Sequence, residues 1–143
     1  MEKKILYIFV GTVIILMCFV AGLFLYTSSQ KGKQETAYSI HLYNNAVHFE
    51  GMVDDVVDFS KIESIAYKEI NFEGKKIGVG EATSIFLVGD AKTEEFGKCR
   101  AYVYYDKPYY IVMKTEDSTF VFNLPKEQEC KKLYNKLLER IQL

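Results

Sequence analysis

The sequence predicts a mainly β domain with one C-terminal α-helix, carried behind a single transmembrane helix. Three observations predict it: an uncharged run from Ile5 to Tyr26, a succession of short segments alternating apolar and polar residues from Tyr38 to Leu124, and a closing stripe of helical period. They divide the 143 residues into a membrane anchor at 1–26, with its span at 5–26, a polar linker at 27–36 and one small domain at 37–143.

The run ILYIFVGTVIILMCFVAGLFLY holds 22 residues without a charge. At about 1.5 Å per residue it reaches roughly 33 Å as a helix, and a bilayer core of about 30 Å is spanned with slight tilt. Lys3 and Lys4 before it and Thr27-Ser28-Ser29 after it also fit a cleavable signal, but the apolar part of a signal is usually about 7–15 residues. A retained anchor is therefore the reading, and a cleaved, secreted form of the same domain is the alternative. Met17 stands where a lipoprotein signal places a small residue, which removes Cys18 from that role. Gly11, Cys18 and Gly22 share a helix face, a weak form of the small-residue packing stripe.

Lysines flank the span on both sides, Lys3 and Lys4 before it and Lys31 and Lys33 after it, so the positive-inside rule leaves the orientation open. The short basic start resembles a signal-anchor and leans the domain to the outside. Cys99 and Cys130 lean the other way as free thiols, and outward again if they are bridged.

TSSQKGKQET, residues 27–36, is polar and aperiodic, the composition of a flexible tether. In AYSIHLY, Tyr38, Ile40 and Leu42 share one face and Ser39, His41 and Tyr43 the other; Asn44-Asn45 makes a hairpin turn, and AVHFEGM returns. That register sets Ile40 against Phe49, Leu42 against Val47 and His41 against His48. These are the chain's two histidines, with Glu50 as the one neighbouring ligand, too few for zinc. They read as a cross-strand pair on the solvent side.

Asp54, Asp55 and Asp58 lack the alternating ligands and central glycine of a calcium loop, and read as a solvated strand edge or turn. Ile62, Ile65 and Tyr67 mark a short turn feeding a strand. NFEGKKIGVGEATS follows neither the P-loop nor the dinucleotide glycine pattern. Gly74, Gly78 and Gly80 therefore read as an interstrand loop, with Lys75 and Lys76 at its tip as candidates for an anionic headgroup.

After the strand SIFLV and the polar GDAKTEEFGK comes CRAYVYYDKPYYIVMK. Cys99, Ala101, Val103 and Tyr105 lie on one face and Arg100, Tyr102 and Tyr104 on the other. D-K-P turns the chain, and Tyr109, Ile111 and Met113 alternate with Tyr110, Val112 and Lys114. Tyrosine suits a half-buried pleated surface whose hydroxyls stay wet, so the stretch reads as a hairpin, with Tyr102, Tyr104 and Tyr110 as a candidate outer contact surface. EDS makes the next turn and TFVFNL a further strand. From Pro125, well placed for a first helical turn, Cys130, Leu133, Tyr134, Leu137, Leu138 and Ile141 recur at helical spacing, one apolar face capping a sheet or barrel.

The wording of the second half resembles the bacterial pleckstrin-homology-like (PH-like) family. The matching residues are Gly97 and Lys98 leading into a strand, Lys107, Pro108 and Tyr109 in the hairpin, Lys114 and Thr115, Phe122 and Asn123, and Tyr134 in the helix; they cover about residues 60–141. The resemblance implies a barrel of about seven strands in two nearly orthogonal sheets, one open end plugged by the helix, and a role in binding or scaffolding. The chain departs from relatives that grip phosphoinositides: its first hairpin loop is Asn44-Asn45 where theirs is basic, and its helix carries Tyr134 where theirs has tryptophan.

With 18 basic and 19 acidic residues, net −1, the chain lacks the charge for nucleic acid. Ser28 to Lys31 matches S-x-x-K but lies in the tether, away from any helix start, and no G-x-S-x-G or C-x-x-C accompanies the two histidines. The expectation is no enzyme, with no catalytic residue, metal or cofactor. What remains is a membrane-tethered binding module that engages a protein partner through sheet edges or the tyrosine hairpin. The alternative is a lipid headgroup or envelope polymer held by Lys75 and Lys76.

Overall fold

The computed structural model describes residues 2–30 and 36–141. Helix α1 runs Glu2–Gln30, so Thr27 to Gln30 continue the helix instead of opening the linker. None of these four is a glycine or proline that would stop it; the linker's residues 31–35 lie outside the described residues. Lys3–Tyr26 is 24 residues, long and apolar enough to cross a membrane, and its most apolar 18-residue stretch has a mean hydropathy of 2.8. The Thr12 hydroxyl donates back to the carbonyls of Ile8 and Phe9 at 3.1 and 2.8 Å, which satisfies it without water, as hydrocarbon requires.

From Ala37 the chain forms a separate compact unit. Strands β1 (Tyr38–Leu42), β2 (Ala46–Gly51) and β3 (Asp55–Asp58) make an antiparallel meander. Ile40 pairs with Phe49, His41 with His48 and Leu42 with Val47, the register that the apolar alternation dictates, because a one-residue slip would expose Phe49 and Val47. A 3₁₀ turn, Phe59–Lys61, leads into β4 (Ile62–Lys68). Next come β5 (Gly74–Ala82), β6 (Phe86–Thr93), β7 (Gly97–Tyr104), β8 (Tyr110–Thr115), β9 (Thr119–Phe122) and helix α2 (Glu127–Ile141). These six strands form one sheet in the order β4-β8-β9-β7-β6-β5. The β8–β9 hairpin folds back so that β9 fills the slot between β8 and β7, and β9 runs parallel to β7.

The expected closed barrel of about seven strands is instead nine strands in two sheets, among the described residues, without closure. The larger sheet is nonetheless strongly curled. β4 and β5 lie at its opposite edges, about 24 Å apart if it were flat, yet only residues 69–73 join them, a span that six chain steps of about 3.5 Å cannot cover. The curl shows where opposite parts meet: Lys68 Nζ, at the end of β4, is 3.2 Å from Glu95 Oε1 in the β6–β7 turn, and Phe96 of that turn stands against Tyr110 of β8.

The curled sheet separates two cores. One side carries Leu87, Ala91, Cys99, Ala101, Val103, Tyr110, Val112 and Val121, with Phe72 from the β4–β5 connection packed over them. The other side packs the aromatic core, in which Phe49, Tyr102, Phe120 and Phe122 meet Tyr38, Ile111, Met113 and the α2 residues Cys130, Leu133 and Leu137. Phe49 stacks on Tyr102 and Phe120 at 4.7 and 5.6 Å. Alternation along β7 thus serves both cores. Of the predicted stripe, helix α2 buries Cys130, Leu133 and Leu137, half-buries Tyr134 and Ile141, and leaves Leu138 39% exposed; its first turn carries Glu127 and Glu129 where the helix dipole favours acids.

Candidate functional site

Four of the hairpin's five tyrosines, all but the half-buried Tyr105, are interior residues. Tyr102, Tyr104 and Tyr110 are 0%, 7% and 3% exposed, so they form no outer surface; β7 and β8 are central strands covered on both faces, where the alternation pattern suggested one wet face. Their hydroxyls fasten distant segments. Tyr102 donates to Val53 O and to the Asp55 carboxylate, Tyr104 accepts from the Ala37 amide at 3.0 Å, and Tyr109 donates to the carbonyls of Leu124 and Pro125 ahead of α2. Burial, then the Asp55 hydrogen bond, hold the Tyr102 phenol far above its ordinary range.

Asn123 is the hub of this end of the domain. It is fully buried, its Oδ1 accepts from Tyr104 N and Tyr38 OH at 2.8 and 3.0 Å, and its Nδ2 donates to the carbonyls of Tyr104 and Tyr109 at 3.1 Å.

Lys75 and Lys76 are exposed, as expected, but lie in a strand. The glycine-rich stretch is β5, nine residues at the sheet edge, paired among the described residues with β6 alone. Glycine here serves close backbone approach rather than a loop: Gly80 and Gly89 face each other at φ +134° and +126°, and an added Cβ on either would come within 2.1 or 2.2 Å of a carbonyl oxygen across the pair. Between Lys76 and Gly80 the register shifts in a bulge opposite Asp90. Ile77 and Val79 in this bulge are 47% and 68% exposed. Beside the start of β5 opens a groove of about 1140 Å³, lined by residues 70–77 and 92–97 and by Tyr110.

The bulge is held from inside by charge. The Val79 amide donates to Asp90 Oδ2 at 3.0 Å, and Asp90 Oδ1 pairs with Arg100 Nη1 at 2.8 Å. Arg100 Nε pairs with Asp55 Oδ2 at 2.9 Å, and that same carboxylate receives the Tyr102 hydroxyl. A line of polar contacts thus connects β3 of the small sheet to the free edge of the large one. Asp55, read from sequence as solvated, is a half-buried counter-charge, because β3 is laid over β7. The sequence did carry a signal for this network: Asp90 and Arg100 each interrupt an apolar strand, and a charge in such a place needs a partner.

Cys99 and Cys130 sit in different cores on opposite sides of the sheet and are free thiols, so a bridge between them is sterically closed. Burial pushes both up to about 11. His41 lies 3.7 Å from Glu50 and His48 packs on Tyr43, on the face expected; among the described residues no three His, Cys, Asp or Glu side chains gather as metal ligands.

Together these features define a mainly β domain with an open sheet edge, behind a helix long and apolar enough to cross a membrane. Comparison with protein-family models, with curated proteins and with solved structures found no match.

Proposed function

We propose that this protein is a single-pass, membrane-tethered, non-catalytic binding module that takes up an extended segment of a protein partner along the free edge of β5. The observation that carries this reading is the nine-residue strand paired, among the described residues, on one side only, with residues 75–79 all exposed. An edge of this kind offers backbone donors and acceptors to an incoming strand, and exposed side chains beside them supply selectivity.

The PH-like assignment belongs to the same proposal, supported by the succession of strands, the curl of the sheet and the C-terminal helix. The domain is placed outside the cytoplasm, as a signal-anchor would place it. The thiols no longer weigh against that side, because Cys99 and Cys130 are buried and protonated and so are inert in either compartment.

The test is photo-crosslinking in native membranes, with a photoreactive residue at Ile77 or Val79 of the full chain and, as control, at Leu138 on α2. A discrete adduct from the two β5 positions and none from Leu138 is expected. Absence of adducts at both β5 positions, or equal yield at Leu138, refutes the edge. A C-terminal reporter active only outside the cytoplasm checks the orientation.

A further inference from the structure

We propose that the segment received by β5 is acidic, selected by a row of lysines that runs across three strands and ends at the free edge; this rests on the edge-addition reading above. Lys75 of β5 stands directly opposite Lys92 of β6, and Lys92 directly opposite Lys98 of β7. All three side chains are exposed. Among the described residues none of the three takes part in an ion pair. The carboxylate one row along, Asp90, is already committed to Arg100 and the Val79 amide, and Glu95 of the adjoining turn is committed to Lys68.

Like charges directly opposite one another on a sheet are destabilising, so two such pairs in one row are an arrangement that folding alone does not favour. A counter-charge placed in the same row relieves it. The row runs perpendicular to the strands, so its next place beyond Lys75 belongs to a strand added at β5. A carboxylate there stands beside Lys75 while the backbones pair. An anionic headgroup would satisfy the lysines but leave the edge unpaired, so the coincidence of row and edge favours a peptide.

The experiment uses the full chain and the crosslinker at Val79, comparing wild type with K75Q/K92Q/K98Q. The variant is expected to melt no lower than wild type, because it loses only repulsion. Its adduct yield falls about fivefold, the upper end for one exposed charge pair, and mass spectrometry of the wild-type adduct finds Asp or Glu in the captured segment. An undiminished yield, or a captured segment without carboxylates, overturns the acidic choice and leaves the edge reading standing. No adduct from Ile77 or Val79 in wild type removes both. The full chain in nanodiscs is also mixed with phosphatidylglycerol vesicles. Flotation lost in the variant while its adduct yield is unchanged overturns the proposal in favour of a lipid surface.

Discussion

Replacing Asn123 by alanine tests the reading of the tyrosine-rich end of the domain. The side chain is fully buried and uses its whole hydrogen-bonding capacity, two acceptances at Oδ1 and two donations from Nδ2. Alanine leaves the Tyr104 amide and the carbonyls of Tyr104 and Tyr109 without these partners; the Tyr38 hydroxyl keeps the backbone oxygen of residue 123 at 2.7 Å. Three orphaned groups at about 1–1.5 kcal/mol each, with a small cavity added, give a loss of roughly 3–5 kcal/mol. Against a typical stability of about 5–15 kcal/mol this is a large fraction, and for a domain of this size it lowers Tm by roughly 15–25 °C. The assay is urea and thermal unfolding of the full chain in detergent, followed by near-UV circular dichroism of the tyrosines, most of which lie in the domain. A loss under about 1 kcal/mol would refute the reasoning, since the four hydrogen bonds would then not be holding β1, β7 and the β7–β8 connection together.

Two further outcomes follow from the same contacts. Arg100→Ala leaves Asp55 and Asp90 without their shared cation in a partly screened site, with side chains 20% and 39% exposed, and is expected to cost about 2–3 kcal/mol. The compensated variant D55N/D90N/R100M recovers most of this in urea unfolding; a loss within 0.5 kcal/mol for Arg100→Ala, the usual range of a neutral surface substitution, contradicts the role given to the network. Alkaline pH is expected to weaken the fold. Burial raises Cys99 and Cys130 from 9.0 to about 11 and raises Tyr38 and Tyr102 above 10.0. Their neutral forms therefore contribute fully below pH 9, and that stability declines through pH 9–11 for the thiols and above 10 for the phenols. Urea midpoints constant from pH 8 to 10.5 contradict it.

The first hairpin was legible residue by residue. Asn44-Asn45 and the alternation on either side leave one register that buries Phe49 and Val47, and that register is found. The same local logic misjudged β5, where Gly74, Gly78 and Gly80 read as a loop. Glycine in a strand and glycine in a turn look alike until the partner backbone is known, and Gly80 is demanded by Gly89, nine residues on. The hairpin tyrosines were misjudged for a related reason. Alternation shows that two faces differ, but not that one is wet, and β7 turns Tyr102 and Tyr104 to one core and Cys99, Ala101 and Val103 to the other.

By itself the sequence determined the elements whose cause is local: the apolar helix, the first hairpin, the period of α2 and the mainly β character of what lies between. Length, charge and side-chain period act within a few residues and need no knowledge of the rest of the chain. The tertiary structure alone decided that β9 enters between β7 and β8, that the sheet curls without closing, that Asp55 meets Arg100, and that Lys75, Lys92 and Lys98 fall into one row at a free edge. Each of these depends on which strands become neighbours, a choice set by the summed packing of both cores rather than by any stretch of sequence that takes part in it.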